Sequence, residues 1–155
     1  MDIRVVDGEE LAAARAKLEA EWGAPIMVRG TAIGFAECEI LVAGEMEGLA
    51  AYSRRDQPIA QLVALNAFRQ WRGVGTALLA ACAARLTPEF HTLRLTTTND
   101  NVDALRFYQK RGFVLSALRI GAVDEARLRK PSIPLLGQYG IPIRDELDLS
   151  LSLRI

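Results

Sequence analysis

Two cysteines and one histidine are all the thiol and imidazole ligands that the 155 residues hold. Cys38 and Cys82 stand far apart, with no CxxC or Cys/His spacing around them. No metal site and no disulfide framework is therefore expected, and both thiols read as reduced. Charge of one sign is also lacking: nineteen basic side chains balance nineteen acidic ones for a formal net charge of 0. Composition thus offers no field for a polyanionic partner, and the expectation is no nucleic acid and no membrane surface. No stretch approaches the roughly 18 consecutive apolar residues of a membrane span. The opening MDIRVVDGEE carries no apolar signal region, so a cytoplasmic chain is expected. Internal repeats and low-complexity linkers are missing too. What is present, 50% hydrophobic and 25% charged residues, suits one globular domain over residues 1–155.

Strand and helix signals alternate along the chain. Ile3, Val5 and Val6 predict a short strand, and DGEELAAARAKLEAEW an alanine-rich helix with acidic residues in its first turn. Residues 24–38 carry no clear period. EILVA and MEGLAAYS, separated by Gly44 and Glu45, predict a hairpin. PIAQLVALNA is almost continuously apolar, as a strand buried on both faces would be. A helix at 74–86, the strand LRLTTT, the helix NVDALRFYQKRG and the strand FVLSALRI follow. VDEARLRK reads as a helix, PSIPLLGQYGIP as a loop, and IRDELDLSLSLRI as a closing strand. The order is that of an α/β fold with a mixed sheet.

Residues 70–77, QWRGVGTA, lie where a central strand gives way to a helix, the place where open α/β sheets bind ligands. A P-loop would separate its glycines by four residues and follow them with Lys-Ser or Lys-Thr, but only Val74 separates Gly73 from Gly75. A dinucleotide fingerprint would have Gly or Ala where Leu78 stands. Two readings remain. Either the glycines serve a tightly packed turn, or the amides from Val74 to Ala77 converge on an anion such as a pyrophosphate.

Residues 99–113, NDNVDALRFYQKRGF, contain Asn101, Ala104, Phe107, Tyr108, Gly112 and Phe113 in the arrangement N-x-x-A-x-x-F-Y-x-x-x-G-F. With Q-x-x-G-x-G at Gln70, Gly73 and Gly75, this resembles the GNAT-type N-acetyltransferases over about residues 59–120. The resemblance implies a mostly antiparallel sheet of about seven strands flanked by helices and splayed between the fourth and fifth. It implies transfer of an acetyl group from acetyl-coenzyme A to an amine of a small molecule or peptide, with no metal. Gln70, Trp71, Arg72, Gly73, Val74, Gly75, Thr76 and Ala77 would form the pyrophosphate loop. Leu65 and Ala67 would pair with the pantetheine arm, the Leu65 amide polarising the thioester carbonyl. Asn101 would reach the cofactor, and Tyr108 would protonate the departing thiolate.

Plainer readings stand beside these. Tyr108 could simply close the core with its hydroxyl at the edge. Cys82 shares a helical stripe with Val74, Leu78 and Arg85 and reads as core; His91 has no recognisable nucleophile and reads as solvated. The strand before the loop lacks the glutamate that many relatives use as a base, holding only Gln61 and Asn66. Either a carboxylate acts through water, with Glu37, Glu39 and Asp145 as candidates, or the amine arrives neutral. Asp145 shares strand parity with Leu147, Leu149, Leu151, Leu153 and Ile155, and a carboxylate aligned with an apolar face needs a partner. Residues 121–146 are expected to bring Arg127, Arg129, Lys130, Tyr139 and Asp145 to the acceptor end, where they could hold a zwitterionic amine. A dimer contact or rigid brace is the competing account of that segment. Besides a small-molecule or peptide acetyltransferase, a non-catalytic acyl-coenzyme A sensor and a nucleotide-binding module stay open.

Overall fold

A computed structural model describes residues 1–68 and 73–154. The elements in chain order are β1 (Ile3–Val5), α1 (Gly8–Trp22), β2 (Ile26–Val28), β3 (Thr31–Ile33), β4 (Glu39–Ala43), β5 (Gly48–Ser53) and β6 (Ile59–Ala67). Then come α2 (Val74–Leu86), β7 (Thr92–Thr98), α3 (Val102–Gln109), β8 (Val114–Arg119), α4 (Ala122–Arg129) and β9 (Glu146–Ser152). Short 3-10 turns occupy Phe35–Glu37 and Gln138–Gly140.

Seven strands form one sheet in the order β1-β4-β5-β6-β7-β9-β8, and β2 pairs with β3 alone. Every neighbouring pair is antiparallel except β6 and β7. That exception follows from the chain, because a parallel neighbour needs a crossover and α2 supplies it. The sheet matches the expected mixed α/β architecture.

The two faces of the sheet carry separate cores. Val74, Leu78, Cys82 and Leu86 recur along one stripe of α2, and they bury against Leu41, Tyr52 and Leu93. On the other face Ala14 and Leu18 of α1 meet Ile40, Val42 and Leu49. β5 is buried along its whole length because its alternate residues serve both cores. Cys82 is fully buried, and burial pushes its thiol up to about 12. A thiol held in that form is packing material, not a nucleophile.

Three local expectations change. Residues 24–38 fold as the β2–β3 hairpin and a 3-10 turn; strands this short carry too few residues to show a period. The β4–β5 connection runs over residues 44–47 rather than two, with Gly44 and Met46 in left-handed conformation. Gly48 then opens β5, where a Cβ would stand 2.5 Å from Val74 Cγ1, so only glycine lets the strand pass under α2. The closing strand begins at Glu146, which leaves Asp145 outside it and removes the parity argument that aligned its carboxylate with the leucine face. The buried carboxylate of β9 is Asp148, on the opposite parity.

Candidate active site

A fork in the sheet defines the site. β6 and β7 pair from Ile59↔Thr92 to Leu62↔Leu95 and then part, whereas β6 stays paired with β5 as far as Ala67↔Gly48. Between Ala51 and Tyr52 of β5 the register shifts, so that Val63 becomes an extra residue on β6. Such a bulge bends a strand and twists it away from its neighbour. Phe68 N–H bonds to the Glu47 carbonyl at 2.8 Å on the β5 side. Backbone groups alternate sides along a strand. The N–H groups of Leu65 and Ala67 therefore face the edge that β7 has left. The resulting cleft, of about 190 Å³, is lined by residues that include Trp22, Val28, Leu65, Thr97, Asn101 and Tyr108.

The helix start expected to hold an anion lies next to it. Gly73 caps α2 with φ 69° and ψ 16°, a left-handed turn that glycine adopts without strain, and a Cβ there would meet nothing within 4 Å. The first bond at the helix start is Ala77 N–H to the Gly73 carbonyl at 2.9 Å, so the preceding amides of the first turn precede the intrahelical ladder. Gly75 serves a different need: its Cβ would lie 3.4 Å from Phe107 Cζ and 4.0 Å from Ala67 Cβ, so it permits close packing on α3 and β6. Gln70, Trp71 and Arg72 lie outside the described residues. Arg111, which sequence reasoning passed over, donates from Nε to Thr76 Oγ1 at 2.9 Å and lies 3.7 Å over the Phe107 ring. Its signal was the helical spacing from Phe107 to Arg111, which sets a cation beside the α2 start.

On α3, Tyr108 packs edge-on against Phe107 and Phe113, at ring separations of 5.1 and 5.4 Å. Its hydroxyl has no hydrogen-bond partner among the described residues, and its side chain lines the cleft. Burial, with a smaller contribution from Cys82, raises its pKa well above the ordinary tyrosine value. Asn101 caps α3 by accepting the Ala104 amide at 3.2 Å, and it donates to Thr97 Oγ1 at 3.1 Å while also lining the cleft. Gly112, at φ 96°, closes the helix and lets Phe113 N–H return to the Tyr108 carbonyl at 3.1 Å.

Residues 7–113 match the model of the acetyltransferase (GNAT) family. The chain belongs to that family. It is an acetyl-coenzyme A-dependent N-acetyltransferase, and the splayed sheet expected from the resemblance is the observed one. The chain is 39% identical over 137 residues to the uncharacterized protein YxbD of Bacillus subtilis (strain 168), covering 81% of this chain and 82% of that protein. Its fold resembles a GNAT family acetyltransferase from Elizabethkingia anophelis with acetyl-CoA bound, at a TM-score of 0.72 and 17% identity over 97% of both chains. A Bacillus subtilis acetyltransferase in complex with CoA also gives a TM-score of 0.72, at 19% identity over 98% of both chains.

The candidate bases of this acetyltransferase lie away from its cleft. Glu37 pairs with Arg55 and accepts the Gly34 amide at 3.2 Å. Glu39 faces α2, bonded by the Tyr52 hydroxyl at 2.5 Å and by Arg85 at 2.8 Å, with Arg54 beside it. Burial would raise its pKa, but these hydrogen bonds and charges outweigh burial and the net shift is downward. Asp145 accepts the Gly121 amide at 2.9 Å. Among the described residues, none lining the cleft is Asp, Glu, His or Lys. Nor does any group of three or more His, Cys, Asp or Glu stand together as metal ligands would.

The segment expected to shape the acceptor end is tied down by bonds to backbone carbonyls. Arg127 donates to the carbonyls of Ile133, Pro134 and Ile143 at 3.1, 2.7 and 2.7 Å. Tyr139 is exposed and gives its hydroxyl hydrogen to Asp103 at 2.9 Å. Arg129 and Lys130 bond to the carbonyls of Gly30 and Pro25. His91 is exposed beside Arg154.

Proposed function

We propose that the protein acetylates a primary amine of a small molecule or peptide, by direct attack of the amine on acetyl-coenzyme A while both are bound. The observation that carries this reading is the fork: β6 keeps its β5 partner but turns the amides of Leu65 and Ala67 to an unpaired edge. Backbone presented this way can bind an extended amide-containing arm as an added strand. The donor supplies an activated acetyl thioester at that edge.

Each residue then has a task. The amides of Val74, Gly75 and Thr76 cradle the diphosphate, with Gly73 turning the chain so they converge; the Ala77 amide, expected in that set, is spent on the Gly73 carbonyl. Gln70, Trp71 and Arg72 complete this loop from the preceding residues, and Arg111 adds a cation beside it. Leu65 N–H polarises the carbonyl under attack, and Asn101 fixes the arm from the α3 cap. Tyr108 protonates the departing thiolate; its raised pKa keeps the proton available at neutral and mildly alkaline pH. With no carboxylate or imidazole lining the cleft among the described residues, the ammonium sheds its proton to water before attack, and rate should rise with pH toward the pKa of the amine.

A thiol-release assay with acetyl-coenzyme A and a panel of primary amines tests the reading, alongside calorimetry with coenzyme A. Binding with turnover of an amine supports it. Binding with no turnover of any amine would make the protein a sensor of the donor.

A further inference from the structure

On the β2–β3 face, one residue before the fork opens, Arg94 of β7 stands opposite Gln61 of β6. Its Nε donates to Gln61 Oε1 at 2.7 Å. That amide is fixed in turn, since it is buried and its Nε2 donates to Thr96 Oγ1 at 3.1 Å. Thr96 donates to Asp148 Oδ1 at 2.7 Å. Asp148 is taken up by Arg119, at 2.8 Å through both terminal nitrogens, and by Arg29 from the hairpin turn. A directed line of bonds thus runs from Arg94 to a carboxylate that two other guanidiniums already satisfy.

The arginines around this cleft differ in one respect. Arg29 pairs with Asp148, Arg55 with Glu37, and Arg119 with Asp148 and Glu146. Arg94 is half-buried, yet among the described residues no carboxylate lies within ion-pair distance of it. Its terminal nitrogens have no hydrogen-bond partner there either. Burial and the charge of Arg29 lower its pKa, while Asp148 and Asp56 act against them, so its charge is carried at a cost in the free protein. A pocket of about 150 Å³ opens over it, walled by Val28, Thr31, Ile33 and Asp56. Val28 also lines the cleft at the fork, so the two spaces share that side chain as a wall.

We propose that Arg94 is the acceptor's anchor, binding a carboxylate on the same molecule that carries the amine, so that the substrates are amino acids or peptides with a free carboxyl end. The inference rests on the acetyl-transfer reading and adds the substrate class. A planar guanidinium with its outer edge unbonded matches a carboxylate in two parallel hydrogen bonds, and Gln61 holds the plane by its inner nitrogen. The apolar walls at Val28 and Ile33 would take the carbon chain between the two ends. The site lies on the hairpin face, not in the segment 121–146 where a zwitterion was first expected.

The test uses pairs of acceptors that differ only in the anion: free amino acids and their methyl esters, with the amine placed from the α to the ω position, and dipeptides with free or esterified ends. The wild-type protein should favour at least one acid over its ester, by tenfold or more in acceptor KM. Arg94→Gln should erase that preference by raising the KM of the acid, and Arg94→Lys, which keeps the charge without the fork, should retain part of it. Arg94→Gln also leaves the buried Gln61 Oε1 without its donor, so some loss of Tm is expected in either case; a rise in the KM of acid and ester alike would make Arg94 a structural residue and overturn the proposal. Calorimetry with acetyl-coenzyme A separates the two levels. Loss of donor binding in the wild type sinks the acetyl-transfer reading, whereas intact donor binding with no acid favoured over its ester sinks the Arg94 assignment alone.

Discussion

Thr96 gives its hydroxyl hydrogen to Asp148 at 2.7 Å, tying the strand that forms one side of the fork to the buried carboxylate that holds the hairpin turn through Arg29. Asp148 is 2% exposed, and burial would raise its pKa, but the bonds from Arg119 and Thr96 and the nearby guanidiniums outweigh burial and leave it lowered. Removing one partner of a buried pair costs about 3–5 kcal/mol. Asp148→Asn should therefore lower Tm by roughly 10 °C in a chain of this size. A carboxylate with a lowered folded pKa gives stability that is full above its unfolded value of about 3.9 and fades as pH falls through the folded value. The gap in Tm between wild type and variant should thus be constant at neutral pH and narrow below about pH 4. A pH-independent gap in thermal melts would mean that the charge contributes nothing.

Tyr108 is expected to act at turnover and not at binding, because the proton is needed only when the thiolate leaves. Tyr108→Phe should reduce kcat by about 10²-fold where chemistry limits the rate, with the affinity for coenzyme A nearly unchanged. Burial keeps the phenol protonated past its ordinary value of 10.0, so the wild-type kcat should show no alkaline fall from this group below that pH. An unchanged kcat in the variant would return Tyr108 to a packing role between Phe107 and Phe113.

Elements with a strong period were legible in the sequence. The α2 stripe at Val74, Leu78 and Cys82 is buried as its spacing implied, and the N-x-x-A-x-x-F-Y pattern marks a helix whose cap and cleft-lining tyrosine are now visible. The β2–β3 hairpin was not legible, because three-residue strands show no alternation and their partner across the sheet is named only by ion pairs. Asp148 was missed for a related reason. Parity directs attention to the leucine face of β9, while the buried charge sits on the other face, compensated by Arg29 and Arg119 from distant elements. Distance in sequence, 119 residues for Arg29 and Asp148, hides such pairs from any local pattern.

The two glycines of the helix start should separate in experiment. Gly73→Ala forces a Cβ into a left-handed turn at a cost of roughly 1–2 kcal/mol but into open space. The turn should relax, weakening coenzyme A binding more than stability. Gly75→Val instead sends its side chain toward Phe107 and Ala67, so it should lower Tm together with binding. Calorimetry and melting curves on both variants check this, and a Gly75→Val variant that lost only affinity would assign that glycine to the anion and not to packing.

The segment after α4 offers the sharpest choice between structural support and acceptor recognition. Gly137 passes so close to the turn between β7 and α3 that a Cβ would stand 1.9 Å from Asp100 Oδ2, and the same Cβ would lie 2.8 Å from Ile143 Cγ1. Asp100 cannot easily yield, since it is 5% exposed and accepts the Gln138 amide at 3.0 Å and the Thr98 hydroxyl. Overpacking of this kind costs about 1–3 kcal/mol. Gly137→Ala should then lower Tm by roughly 3–10 °C, whereas Gly34→Ala, at φ −93° with nothing within 4 Å of its Cβ, should leave Tm nearly unchanged. If the segment is a brace, KM for both substrates should hold below the melting range, and Tyr139→Phe should do no more than remove one exposed bond to Asp103. A rise in acceptor KM in either Gly137→Ala or Tyr139→Phe, without loss of Tm, would show that the segment forms a wall of the acceptor site.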